Sequence, residues 1–276
     1  MLPQPAKPLR VRQRLGKYRV EGKLGTGAFA AVYRAMDTIE GIRVALKIPH
    51  EALLTEQVMN DFRSEVRIMA KLEHENILAL KDASIIDDRF VIVFPLGEKT
   101  LEDRLSSRMA QRTALELSEQ ILSAVAYAHE RRIVHCDIKP DNLILFPDNR
   151  VRLTDFGIAK VAHRTLRGSG TGTVGYMAPE QAMGKPSPES DVFSVGLVMY
   201  RMLAGCWPDW PFDWPMPGYD RLRGRVHSDL IALLRKSLEL RPDDRFEDGV
   251  EMLEEFERIR NRVYRKLTTT RRRRAG

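Results

Sequence analysis

The run His135-Cys136-Asp137-Ile138-Lys139-Pro140-Asp141-Asn142 places three polar side chains at short offsets. Asp137 can orient an attacking hydroxyl or accept its proton. Lys139 brings a positive charge to the same place, and Asn142 offers an amide oxygen to a hard cation. Pro140 stiffens the turn that carries them. Thr154-Asp155-Phe156-Gly157 follows a predicted strand, Arg150 to Leu153, and Asp155 adds a carboxylate to the metal candidates. Phe156 can pack inward, and Gly157 lets the chain turn sharply.

A second set of residues suits phosphate. Leu24-Gly25-Thr26-Gly27-Ala28-Phe29-Ala30 lies between two β-type runs. Its glycines allow backbone N–H groups to approach phosphate oxygens with no Cβ in the way. Taken alone it is equally a glycine-rich hairpin turn. No helix follows it and no Gly-Lys-Ser/Thr occurs in it, which argues against the dinucleotide-binding and Walker loops. Val44-Ala45-Leu46-Lys47 reads as a strand ending in a lysine. Eighteen residues later, Glu65 lies beside the apolar stripe of a predicted helix, where its carboxylate can hold that ammonium. A fixed ammonium neutralises phosphate charge.

The elements that must position these groups divide the chain. Short β-type runs at Tyr18–Lys23, Ala31–Met36 and Arg43–Ile48 precede a helix over 56–72, in which Met59, Phe62, Val66 and Met69 recur at helical spacing. Ile77–Ile86 and Arg89–Phe94 read as a hairpin around Asp87-Asp88. From about residue 100 the pattern is helical, interrupted by short strands near 133–134 and 143–153. A helix over 189–204 is apolar nearly all round and must be buried. Two more are predicted over 227–240 and 247–266.

Composition narrows the class. With 276 residues, 43% of them hydrophobic, the chain can bury a sizeable core in one large domain or two small lobes. Two cysteines make no disulfide framework, so reduced thiols and a cytoplasmic location are expected. No apolar run is long enough to span a membrane, and Met1 to Gly16 is no signal peptide. The net charge of +7 is concentrated in Lys7 to Arg19 and in Arg258 to Arg274. These ends read as solvated tails, or as weak contacts with an anionic surface. No aromatic residue interleaves Arg271 to Arg274, which argues against a platform for stacking nucleic-acid bases.

In order and spacing, the glycine loop, Lys47, Glu65, the 135–142 loop, Asp155-Phe156-Gly157 and Ala178-Pro179-Glu180 resemble the eukaryotic-type (Hanks-type) protein serine/threonine kinases, most of all their bacterial branch. The resemblance spans about residues 17–260. It implies an α+β, bilobal fold: a basic extension at 1–16, a β-rich N-lobe at 17–94, a hinge at 95–99, an α-rich C-lobe at 100–266 and a basic tail at 267–276.

It further implies an enzyme that transfers the γ-phosphoryl group of ATP to a Thr or Ser hydroxyl of a protein, with autophosphorylation. ATP would lie between the lobes, with Leu24 to Ala30 over its phosphates and Lys47, held by Glu65, on them. Val32, Ala45 and Ile144 would enclose the adenine, with Phe94 behind it and Pro95, Leu96 and Gly97 as the hinge. Asn142 and Asp155 would hold Mg²⁺ or Mn²⁺, and Asp137 with Lys139 would serve the acceptor hydroxyl. Thr173, in Gly172 to Tyr176, would contact this pair beside the residue that follows the acceptor. Thr171, Thr165 and Ser169 are the autophosphorylation candidates. Met69, Leu80, His135 and Phe156 match a stacked apolar spine, Glu180 and Arg245 a buried ion pair, and Asp191 the anchor of the catalytic loop. Ile158 favours threonine over serine as acceptor. Two other readings use the same fold: a pseudokinase scaffold and a small-molecule kinase. The complete set of polar residues opposes the first, and Lys139-Pro140 with Ala178-Pro179-Glu180 the second.

Two features depart from that family. Cys136 stands where an arginine usually grips a phosphate on the activation segment, so phosphorylation there is not expected to be the main switch. The thiol itself is expected to be buried and inert. The stretch 206–217 carries all three tryptophans among prolines, which exclude a regular helix. It is expected to pack locally, with docking of a partner as the alternative.

Overall fold

The computed structural model describes residues 8–27, 29–50, 55–156, 174–208 and 211–275. They form two compact units, one from residues up to Glu73 with Leu78–Gly97, the other from His74–Ile77 with Glu98 onward.

The smaller unit is an antiparallel sheet with one helix. Strands β1 (Arg14–Leu15), β2 (Tyr18–Thr26), β3 (Ala30–Asp37), β4 (Ile42–Pro49), β5 (Asp82–Ile86) and β6 (Arg89–Pro95) are ordered β1-β2-β3-β4-β6-β5. Alternation sorts the side chains. Ala31, Tyr33, Ala35, Val44, Leu46 and Ile48 enter an apolar cluster with Tyr18, Val20, Val91 and Val93. Ala45 and Lys47 therefore take the opposite face. Helix α1 (Glu56–Met69) starts at Thr55, whose hydroxyl accepts from the Val58 N–H at 3.2 Å. Its apolar side brings Phe62 within 6.4 Å of the Phe90 ring.

Asp87 and Asp88, at φ +49° and +60°, form a two-residue turn whose hand matches the strand twist. The hairpin starts at Asp82, not at the predicted Ile77. Ile77 belongs to the larger unit, where it bridges Leu153 in parallel. The Leu153 N–H donates to the Asn76 carbonyl at 2.8 Å, and the Asn76 amide donates to the Val151 carbonyl at 3.1 Å. These bonds draw the segment out of the smaller sheet's pattern.

In the larger unit, β7 (Lys99–Thr100), β8 (Leu143–Phe146) and β9 (Arg150–Leu153) make a small antiparallel sheet. Its described helices are α2 (Leu101–Leu105), α3 (Gln111–Glu130), α4 (Pro179–Ala182), α5 (Pro188–Ala204), α6 (Tyr219–Arg223), α7 (Ser228–Ser237) and α8 (Gly249–Ala275). No strand forms at 133–134, because the Ile133 N–H turns back to the Ala128 carbonyl and closes the end of α3. Helix α5 is buried from Ser190 to Ala204 except at Arg201, in keeping with its all-round apolarity. Helix α8 runs past the predicted end at 266, so Arg271 to Arg274 continue a helix. It starts against α3, where a Cβ on Gly249 would lie 2.8 Å from Val125 Cγ1, so only glycine permits this approach.

Asp209 and Trp210 lie outside the described residues, and the described part of the proline-rich stretch packs locally. Trp214 meets Tyr200 and Tyr219 edge-on at 5.9 and 5.6 Å, and Phe212 meets Phe193 at 5.4 Å. Among the described residues, no helix is long and apolar enough to cross a membrane.

Candidate active site

In the smaller unit, Lys47 reaches across to α1, and its Nζ lies 2.9 Å from Glu65 Oε1. Both side chains are buried, at 7% and 2% exposure, so the ammonium is fixed by a carboxylate that shares its desolvation. Beside it, the glycine hairpin is closed by Gly27 N–H donating to the Ala30 carbonyl at 2.8 Å. His50 ties it down twice: its backbone N–H donates to the Phe29 carbonyl at 2.8 Å, and its ring Nε2 lies 3.0 Å from the Gly27 carbonyl. Leu24, Gly25, Thr26 and Gly27 are exposed, Phe29 is half-buried and Ala30 is buried. A Cβ on Gly25 would meet nothing within 4 Å, which leaves room for a ligand over this backbone. Val32 and Ala45 are half-buried on neighbouring strands, Phe94 is buried, and Pro95, Leu96 and Gly97 are half-buried at the end of the unit.

In the larger unit, the loop 135–142 is held by one carboxylate. Asp191, fully buried on α5, accepts the His135 N–H at 2.6 Å on Oδ2 and the Cys136 N–H at 2.7 Å on Oδ1. His129 Nε2 lies 3.0 Å from Oδ2, and its Nδ1 accepts the Gly249 N–H at 2.9 Å. His129 is thus a neutral ring donating through Nε2. His135 has the same tautomer: Nδ1 accepts the Asp137 N–H at 3.2 Å, and Nε2 donates to the Thr154 carbonyl at 2.8 Å. Its ring packs edge-on against Phe156 at 4.6 Å.

These bonds aim the polar cluster. Lys139 Nζ lies 2.9 Å from each carboxylate oxygen of Asp137. The Asn142 amide donates to the Asp137 carbonyl at 2.8 Å and to Asp137 Oδ2 at 2.9 Å. Both donations come from Nδ2, so Oδ1 is left on the other side of the amide for a cation. The Thr154 N–H donates to the Asn142 carbonyl at 2.9 Å, tying this loop to the segment that carries Asp155. Ile144 is half-buried on β8, directly after Asn142 and Leu143. One carboxylate and one amide oxygen fit an ion that retains waters and takes further oxygens from phosphate. Among the described residues, no group of three or more His, Cys, Asp or Glu is placed to hold a metal ion by itself.

Cys136 is half-buried, not buried as expected. Its backbone is left-handed, at φ +62°, which costs about 1–2 kcal/mol. Asp191 on its N–H and Gln181, whose amide donates to its carbonyl, hold it there. Arg245 makes a two-pronged pair with Glu180 at 2.7 and 3.0 Å and also donates to the carbonyls of Glu189, Glu239 and Leu240. The Ser190 hydroxyl adds a bond to Glu180 Oε1 at 2.6 Å. Ala28, Thr165, Ser169, Thr171 and Thr173 lie outside the described residues, as do Gly157 and Ile158.

Sequence reasoning missed His129, Gln181 and Arg201. A histidine in the last turn of an apolar helix, a glutamine directly after Ala178-Pro179-Glu180 and a lone arginine in the apolar run 190–204 were the available signals. Arg201 donates to both Glu102 oxygens and, at 2.7 Å, to the Tyr176 hydroxyl.

The protein kinase domain family matches residues 18–247, and the chain belongs to that family. A probable serine/threonine-protein kinase of Clostridium acetobutylicum is 29% identical over 266 residues, covering 89% of this chain and 40% of that protein. The serine/threonine-protein kinase PknA of Mycobacterium tuberculosis is 36% identical over 203 residues, covering 69% of this chain and 47% of that protein. PrkC of Bacillus subtilis is 35% identical over 198 residues, covering 69% and 31%. The chain thus spans less than half the length of these relatives. The kinase domain of M. tuberculosis PknI has the same α+β fold, with a TM-score of 0.71 at 22% identity, covering 91% of this chain and 99% of that one. These relatives place the chain in the bacterial branch of the Hanks-type kinases, a family that uses ATP and a divalent metal ion.

Proposed function

We propose that this chain is an active protein serine/threonine kinase that transfers the γ-phosphoryl group of ATP, with Mg²⁺, to a protein threonine in preference to serine. The observation that carries the reading is the Asp137 carboxylate, bracketed by Lys139 Nζ and the Asn142 amide at 2.9 Å each in a loop anchored on Asp191.

Asp137, held in place by its two donors, orients the acceptor hydroxyl and takes its proton. Lys139 places positive charge where the transferred group gains negative charge, and Lys47, fixed by Glu65, does the same for the phosphates that stay behind. Asn142 Oδ1 and Asp155 are the ligands for Mg²⁺, which when bound neutralises phosphate charge. Backbone N–H groups of the Gly25–Ala30 hairpin cover the phosphates. Because positioning and charge carry nearly all of the rate, each of these groups acts by being held still.

Cys136 supplies no cation to grip a phosphorylated activation segment, so the preformed bonds of the loop, not such a phosphate, set its activity. The protein works in the cytoplasm, and Arg271 to Arg274 make at most weak contact with an anionic surface. Arg258, Arg260 and Arg262 on the same helix already pair with Glu255, Glu119 and Asp229.

Incubation of the purified chain with γ-labelled ATP, Mg²⁺ and myelin basic protein tests the reading. Label on protein threonine that disappears in Asp137→Asn is expected. Equal labelling by the two proteins, or none by either, overturns it.

A further inference from the structure

Tyr176 ends the short turn Val174–Tyr176 that leads into α4, and this turn is pinned on every side. Its carbonyl accepts the Ser194 hydroxyl at 2.7 Å, and its hydroxyl accepts Arg201 at 2.7 Å. Its ring meets Trp207 edge-on at 5.0 Å. Arg201 stacks over the same indole at 4.4 Å while its other donors hold Glu102 on α2. Gly175 lies flat on the indole, so that a Cβ there would overlap Cζ2 and come within 3.2 Å of Cε2. Five residues past Tyr176, Gln181 donates to the carbonyl of Cys136, directly before Asp137. The turn and the Asp137 loop are therefore braced through one short helix.

This arrangement differs from ordinary core packing. Trp207 is 37% exposed, whereas Tyr176 is 3% exposed, and the contact requires a glycine on one side and a flat ring on the other. The proline after Trp207 is buried.

We propose that Trp207 is a positioning residue for the protein acceptor. It sets the height of the 174–176 turn relative to Asp137 and so governs binding of the protein substrate but not of ATP. The inference rests on the kinase reading above, under which this turn lies beside the acceptor.

The test is a size swap. Gly175→Ala is expected to raise KM for myelin basic protein about tenfold, as a misplaced binding element does, with KM for ATP unchanged. Trp207→Leu in the Gly175→Ala background is expected to recover much of that loss, and Trp207→Phe alone to behave nearly as wild type. The proposal is overturned if both KM values move together, or if the second substitution recovers nothing. Hydrogen exchange at residues 174–178 gives a readout independent of catalysis. Faster exchange in Trp207→Ala at an unchanged melting temperature supports the brace, and unchanged exchange overturns it. If wild-type protein phosphorylates nothing, the kinase reading fails on its own, and the exchange result still decides whether Trp207 holds the turn.

Discussion

Lys139 Nζ stands 2.9 Å from both carboxylate oxygens of Asp137, and the Asn142 amide reaches one of the same oxygens at 2.9 Å. Two donors on one carboxylate hold it in a single rotamer. Replacing Lys139 by Met removes positive charge beside the transferred group and releases Asp137 from that rotamer. The expected result is a fall in kcat of about 10²–10³, with KM for ATP little changed. Steady-state kinetics at saturating Mg²⁺ check it; a variant within a factor of three of wild type would mean that Lys139 is only a surface partner of Asp137.

Asp191 takes three donors into a buried site: the N–H groups of His135 and Cys136 and the ring of His129. Asp191→Ala leaves two backbone N–H groups without that acceptor and is expected to destabilise the chain by about 3–5 kcal/mol. Asp191→Asn keeps the shape but turns an NH₂ group toward a donor, so it should lower kcat at least about tenfold even where the protein remains folded. Urea unfolding and kcat measured together separate the two effects. A stable Asp191→Asn protein with wild-type kcat would show that the Cys136 backbone does not need this anchor.

How far the sequence could be read depended on whether a contact followed from local periodicity. Glu65 facing Lys47 is legible, because a carboxylate beside an apolar helical stripe must look toward the sheet that the stripe covers. The burial of α5 is legible for the same reason. Ile77 was not, because its alternation continues into a strand pattern while its actual pairing is a parallel bridge to Leu153 within the larger unit. Nor was the half-exposure of Cys136, which depends on a left-handed φ imposed by Asp191, a residue 55 positions away. The pairing of Gly175 with Trp207 joins two segments with no shared periodicity, and the sequence carries no sign of it beyond the two residue types.

The Lys47–Glu65 pair yields a coupling prediction. Each partner is nearly inaccessible, so removing one leaves the other's charge in a dry site. Lys47→Met and Glu65→Leu are each expected to cost about 3–5 kcal/mol of stability, and the double variant clearly less than their sum. Both singles and the double should lose activity, because phosphate charge then lacks its fixed ammonium. Chemical denaturation of the four proteins closes the cycle. Strict additivity would mean that the two groups do not stabilise one another.

Glu180 links acid stability to the ion pair with Arg245. Burial pushes the Glu180 carboxyl up, but the bonds from Arg245 and Ser190 outweigh it and hold the group below its ordinary value of 4.5. A carboxyl depressed by folding contributes stability that is in place above that ordinary value and is lost as pH falls through the lower, folded one. Arg245 stays charged throughout, so at low pH the protein is left with a buried guanidinium and a neutral partner. Glu180→Gln should therefore melt several degrees below wild type at pH 7, and the gap should narrow steadily from about pH 4.5 downward. Thermal melts of both proteins at pH 7, 5 and 3.5 provide the check. A gap that stays constant across that range would show that Glu180 acts by shape alone, with its charge contributing nothing to the hold of Arg245 on the segment that precedes α5.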